Sequence, residues 1–424
     1  MLNRGTARRS FGAEEGSVLV MVAAALVMLL GVCAIAIDMA NLYLARAQAQ
    51  RAADAAAMAG AKSFLTTGCA TSGCTAGGVQ ETGGRQQAEA AGAQNYIAGR
   101  PASIADSDIT FSYPNALEPQ ITVVAKATVS TFFAKIFGIR TSNVRATATA
   151  EAYNPAGGGG APLAAACLKP FLVPNCDPTN ASPVNSSCQS GSGKGKGGGG
   201  TSSAGYFFDP TTGAIAHPGT YPSGVIGMPW TLHSVAGPSQ WYLVGFGGAP
   251  PSSGSALRNH IKECTPAPLS CGDTLQTANG KILGPTNQGT NALINANGDR
   301  LNQGQDSIDT TIGPPFAITG GANNPNPALV GKTFFDYSQS PSVVTVPVYT
   351  GNSLPPGGTT VSIIGYMQVF IKDANHNTNS DDIDVVILNI SSCGGAPPGG
   401  GPSGTPPIIA AAGSPVPIRL IRTN

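Results

Sequence analysis

The sequence predicts an α+β fold with an all-β carboxy-terminal part, led by a transmembrane helix that continues into an exported helix. Three observations predict it. Val18 to Ile37 (VLVMVAAALVMLLGVCAIAI) is a run of 20 residues without a charge. Two alanine-rich, helix-forming segments follow, 38–65 and 85–100. Beyond residue 108 the apolar period drops from that of a helix to two, the period of half-buried strands.

The first helix follows from length and polarity. At 1.5 Å per residue the apolar run spans roughly the 30 Å hydrocarbon core of a bilayer, and a core helix of that length would keep a polar face. Arg4, Arg8 and Arg9 precede it, so residues 1–17 are expected in the cytoplasm and everything after Asp38 outside it. Ala34-Ile35-Ala36 offers signal-peptidase spacing as the rival reading. Against it, the apolar run exceeds a signal-peptide core and helix formers continue through the cut. Residues 38–65 hold no proline and one glycine, so one helix should leave the membrane and run on. Its stretch QRAADAAAMAGA is a thin cylinder that a helix or sheet can approach closely. Ala52, Ala55, Ala56 and Ala59 are its expected packing face, with Asp54 one turn from Arg51 and able to pair with it.

After the loop CATSGC, RQQAEAAGAQNYIAGR (85–100) reads as a second helix. ITFSY (109–113) and PQITVVAKATV (119–129) read as strands, TFFAKIFGI (131–139) as a short amphipathic helix, and NVRATATAEAY (143–153) as a third strand. Helices covering one face of this sheet would make a small α+β domain over 38–153. The stretches NPAGGGGAP and SGSGKGKGGGG mark 154–204 as a linker. The runs WYLVGFG, VVTVPVYT, TTVSIIGYMQVFIK and DIDVVILNI make 205–392 a β-rich domain, and 393–424 reads as a Pro/Gly-rich tail ending in VPIRLI.

Charged residues are 11% of the chain and the net charge is +1, which removes any electrostatic case for nucleic acid. Of nine cysteines, Cys33 lies in the apolar run and eight lie beyond it. An even set in an oxidising space reads as disulfides. Short spacings suggest Cys69 with Cys74 and Cys264 with Cys271, leaving Cys167, Cys176, Cys188 and Cys393 unassigned. Zinc is disfavoured, because there is no CxxC and the histidines at 217, 233, 260 and 376 are scattered. Nor is there a GxSxG elbow or a glycine-rich phosphate loop between strand and helix, so no enzyme and no cofactor is expected. One constellation has ligand spacing. In DANHNTNSDDID, Asp373, Asn375, Asn377, Asn379, Asp381 and Asp384 stand at positions 1, 3, 5, 7, 9 and 12 of a calcium loop. Thr378 replaces the turn glycine and the flanks read as strands, which favours a polar hairpin tip over a calcium site.

The segment EEGSVLVMVAAALVMLLGVCAIAIDMANLYLARAQAQRAADAAAMAGA resembles the amino-terminal region of TadG-like proteins of the Flp (tight adherence) pilus system. Gly16, Asp38, Tyr43, Gln48, Gln50 and Ala52 to Ala57 carry the resemblance. STFFAKIFGIRTSNVRATATAEA is similar to the strand-helix-strand that closes that family's first exported domain. The two together cover roughly 15–153. LKPFLVP, CGDTLQTANGKILGP, VVTVPV and IIGYMQVFI are similar, more loosely, to its β-rich extension. There is no DxSxS metal motif, and Met21 stands where a prepilin-peptidase substrate carries glutamate. The resemblance implies a membrane-anchored, exported scaffolding protein of the bacterial inner membrane, meeting pilus-assembly or envelope partners. The alternative from another class is a β-rich binding module for calcium or glycan. An exported hydrolase is a third reading, without a motif to carry it.

Overall fold

The computed structural model describes residues 15–157, 162–175, 206–209, 212–232, 242–243, 253–264, 267–276, 283–296, 304–349, 360–374, 383–394 and 407–421. In chain order its main elements begin with α1 (Glu15–Thr66), α2 (Val79–Ala93), β1 (Ile109–Asn115), β2 (Glu118–Ser130), β3 (Thr141–Ala152), β4 (Leu163–Ala165) and β5 (Phe171–Pro174). There follow β6 (Pro229–Thr231), β7 (Tyr242–Leu243), α3 (Gly254–Lys262), α4 (Leu283–Ile294), β8 (Val343–Tyr349), β9 (Thr360–Ala374), β10 (Ile383–Ser392), β11 (Ile408–Ala410) and β12 (Ile418–Ile421).

The apolar run and the alanine-rich run form one unbroken helix of 52 residues, about 78 Å long. Its first part stands clear of the protein, with large apolar side chains from Val18 to Ile37 exposed. The second part is the centre of the first lobe. There the four-stranded antiparallel sheet β12-β3-β2-β1 lies against α1. On β2 burial alternates, so that Ile121, Val123 and Ala125 face inward between half-buried or exposed neighbours. β3 adds Val144, Ala146, Ala148, Ala150 and Ala152, and α2 covers α1 from another side. Small residues on both layers let helix and sheet backbones approach closely.

Two glycines mark the tightest crossing. A Cβ on Gly60 would meet Ile121 Cδ1 at 2.5 Å and the Gly84 carbonyl oxygen at 2.9 Å. A Cβ on Gly84 would meet the Phe111 ring and Ser63 Oγ, both at 2.9 Å.

The second lobe is built on a larger sheet in the order β6-β10-β9-β8-β5-β7, with Thr274–Gln276 also pairing β9. Among the described strands only β8 and β5 run parallel in it. β8 and most of β10 are buried on both faces, matching their continuous apolar reading. A smaller sheet joins Leu269–Ser270, β4 and β11.

Several boundaries differ from the sequence reading. The second helix starts at Val79 and ends at Ala93, and residues 96–101 turn back as a two-stranded ribbon. TFFAKIFGI holds only a single 3-10 turn, Ala134–Phe137. Ser130 and Thr141 are paired neighbours, so the connection must fold back on itself, and Gly138 at φ 86° stops the turn. The expected linker contributes β4 and β5, whose apolar residues are fully buried. Among the described residues the β-rich lobe contains two α-helices, the first capped by Ser253 Oγ accepting from Ala256 N at 3.2 Å. The expected tail supplies β11 and β12. Its apolar piece IRLI pairs with β3 in the first lobe, where Arg419 Nε donates to the buried Glu151 at 2.6 Å and the guanidinium lies 4.6 Å from the Tyr153 ring centroid.

Candidate functional site

The family-like residues of α1 meet in one region, the stretch from the end of the apolar run to the alanine run. Just past the apolar run, Asp38 is buried against the tip of the β2–β3 hairpin. Its Oδ1 accepts from Phe132 N at 2.6 Å and Phe133 N at 3.3 Å, and its Oδ2 from Phe133 N at 3.0 Å and Ala134 N at 2.6 Å. Burial alone would raise its pKa, but three backbone N–H donors and the Lys135 charge outweigh it and hold the carboxyl below the ordinary range. Nearly three turns further on, Gln48 Oε1 accepts from Ala98 N at 2.8 Å. Gln50 Nε2 donates to the Thr147 carbonyl at 3.2 Å and to Asp54 Oδ1 at 2.7 Å. Asp54 therefore takes Gln50 as its neighbour where the sequence reading offered Arg51. The side chains of 38, 48 and 50 each tie α1 to a different loop or strand of the same lobe.

The alanine face is occupied by the protein itself. Ala52 and Ala56 have no exposed surface, like Ala49, Ala53, Ala57 and Ala61 beside them, and Ala45 is also buried. Ala55 and Ala59 are only half-buried. They line an open groove of about 680 Å³ with Met58, Lys62 and the 409–414 segment. The stripe that buries is thus rotated from the expected one. A sheet facing α1 on one side and α2 on another selects 45, 49, 52, 53, 56, 57 and 61, and leaves 55 and 59 at the edge. A lateral partner cannot use Ala56 without displacing the lobe's own sheet.

Beyond Thr66 the chain enters a polar seam between the lobes. Asn389 Nδ2 donates to the Leu65 carbonyl at 2.9 Å and to Gln368 Oε1 at 2.6 Å. Thr71 Oγ1 donates to the Ile390 carbonyl at 3.0 Å and accepts from Ile390 N at 3.1 Å. Asn154 Nδ2 donates to the Ala70 carbonyl at 2.8 Å, and Tyr337 OH donates to the Thr66 carbonyl at 2.9 Å. None of these residues was marked by the sequence reading. Each is a lone polar residue whose partner lies far away in the chain, which spacing cannot reveal.

The cysteines pair less locally than their spacing suggested. Cys69 bonds Cys74 across CATSGC. Cys264 bonds Cys167 and Cys271 bonds Cys393, in place of the expected Cys264–Cys271 pair. The reason is sheet register. Leu269–Ser270 pairs with β4, and Cys271 N donates to the Leu163 carbonyl at 2.8 Å, which sets Cys271 by the end of β10. Cys176 and Cys188 lie outside the described residues.

Of the calcium-loop spacing, Asn375, Asn377, Asn379 and Asp381 lie outside the described residues. Asp373 and Asp384 are paired across β9 and β10, so the flanks are antiparallel strands and not the helices of an EF-hand. Among the described residues no group of three or more His, Cys, Asp or Glu is gathered as a metal site.

No curated protein and no solved structure matches the chain. Residues 16–63 match the Tad family model, described as Flp pilus-assembly TadE/G-like. The matched segment spans the apolar run, Asp38, both glutamines and the buried alanine stripe, so this amino-terminal region carries the TadE/G-like segment that the sequence resemblance implied.

Proposed function

We propose that the protein is a single-pass, membrane-anchored scaffolding component of a Flp-type pilus-assembly system, with its amino terminus in the cytoplasm and its two lobes exported. It works by position and contact, without turnover. The observation that carries this reading is the unbroken α1: Val18 to Ile37 are exposed and apolar, and the same helix is the core of the first lobe. A lobe built around its own anchor is held at a fixed height and orientation above the bilayer, as a scaffold requires. Three disulfides among the described residues beyond the apolar run support an oxidising compartment. With the alanine stripe occupied internally, pilus or envelope partners would meet the outer surfaces of the lobes.

Protease added to spheroplasts tests the reading. Digestion of both lobes, with a full-length mature chain beforehand, is the expected result. Protection of the lobes, or a mature amino terminus at Ile37, would overturn it.

A further inference from the structure

We propose that the tip of the β2–β3 hairpin, residues 131–140, is a second membrane contact, seated in the interfacial layer of the bilayer beside the point where α1 leaves it. This rests on the anchoring of Val18–Ile37 proposed above.

Height comes from Asp38. The last residue of the apolar run is Ile37, and the next side chain binds the backbone of Phe132, Phe133 and Ala134 at 2.6 to 3.3 Å. The tip is therefore level with the end of the apolar run. Direction comes from two further bonds. Asn41 Nδ2 donates to the Ser130 carbonyl at 3.4 Å, and Gln50 Nε2 donates to the Thr147 carbonyl. Moving from Asn41 to Gln50, about 14 Å along the helix axis, the contact climbs from the base of the hairpin tip up β3. Both strands thus rise away from the membrane and their tip is the lobe's membrane-facing end.

Chemistry fits the place. Phe132, Phe133, Ile136, Phe137 and Ile139 are all exposed, with Ile136 at 75% and Phe137 at 82%. A water-facing loop that shows five large apolar side chains in eight residues is anomalous for a soluble surface. Aromatic and aliphatic side chains beside basic ones suit the headgroup boundary, where Lys135 and Arg140, both exposed, can reach lipid phosphates while the rings sit deeper. Tyr43 on α1 is exposed at 68%, about one and a half turns above the exit, where an interfacial aromatic belongs.

The test uses the full-length protein in liposomes of phosphatidylcholine and phosphatidylglycerol, with and without lipids brominated on the acyl chains. Tryptophan is introduced by Phe137→Trp at the tip, by Leu29→Trp in the apolar run, and by Phe335→Trp on the second lobe. The signal of native Trp230 and Trp241 is subtracted. Brominated lipid should lower the added fluorescence about two-fold at positions 29 and 137 and leave position 335 unchanged. If position 29 is quenched and position 137 behaves like 335, the tip does not touch lipid and the proposal falls, including the case in which another protein covers it. If position 29 is also unquenched, the anchor reading fails first and this one with it.

Discussion

Asp38 holds the amide of Phe133 with both carboxylate oxygens, at 3.3 and 3.0 Å, across a sequence distance of 95 residues. One side chain thereby fixes the hairpin tip to the helix that carries it. Asp38→Ala removes the acceptor for three N–H groups, and amide hydrogen exchange at Phe132, Phe133 and Ala134 should accelerate while the β2–β3 ladder stays protected. The pH dependence has a definite sign. The folded carboxyl sits below its ordinary value of 3.8, so its contribution is complete above that value and lost as pH falls through the folded one. Exchange at these three amides should therefore be indifferent to Asp38 titration near neutrality and rise only under acid conditions.

At the helix crossing, Gly60→Ala should destabilise the first lobe, although alanine is the better helix former by about 1 kcal/mol. The added Cβ would press on a backbone oxygen at 2.9 Å as well as Ile121, and overpacking of this kind costs about 1 to 3 kcal/mol. Ala56→Leu should act in the same direction. Far-UV circular dichroism at low denaturant should be unchanged for both, with the unfolding midpoint lowered. A raised midpoint for Gly60→Ala would mean that the two helices have room to separate.

Non-reducing peptide mapping should recover Cys69–Cys74, Cys167–Cys264 and Cys271–Cys393. The last closes a separation of 122 residues, and loops of about 100 residues are worth about 4.7 kcal/mol in the chain-entropy model. Paired serine substitution at 271 and 393 should lower the second lobe's stability more than the same change at 69 and 74. A Cys264–Cys271 peptide would contradict the register that separates them.

In the seam, Asn389→Ala removes the donor to Gln368 Oε1 and one of two donors to the Leu65 carbonyl, which keeps Gly68 N at 3.0 Å, a loss of about 1 to 3 kcal/mol. The measurable consequence is looser coupling of the lobes, read as faster proteolysis near Thr66 to Cys74 in the intact protein. Unchanged cleavage would show that the remaining bonds of Thr71, Asn154 and Tyr337 suffice.

Lys169 offers an alkaline signature. Its side chain is buried, and desolvation lowers its pKa to about 8 against a smaller opposing pull from Glu263. The unfolded chain keeps that proton up to about 10.5, so between roughly 8 and 10.5 the unfolded state binds more protons and stability should rise with pH. The full gain is about 3 kcal/mol. Lys169→Met should abolish the slope in denaturant titrations across that window. A slope that survives the substitution would assign it to another group.

How much was legible in the sequence depended on whether the signal was local. The continuity of α1, the strands at 109, 119 and 143, and the long strands at 343, 360 and 383 all announce themselves by period and composition. The alanine run declared a packing surface, but not which neighbours would choose its stripe, so Ala55 and Ala59 were displaced to the edge. The hairpin tip has helical spacing in its apolar residues, and only the pairing of Ser130 with Thr141 shows why it cannot be a helix. What failed outright was non-local: Cys271 with Cys393, Asn389 with Leu65, and IRLI with β3 are separated by a hundred residues or more. Glycine and proline around the last of these made a paired strand look like a tail.

That last pairing makes the second lobe an insertion within the first. β12 sits beside β3 although the whole second lobe lies between them in the chain, so the first lobe's sheet keeps an unpaired edge until residues 418–421 have been delivered. In order of synthesis the first lobe is begun first and closed last. Completion of that edge is a built-in record that everything between has already been made.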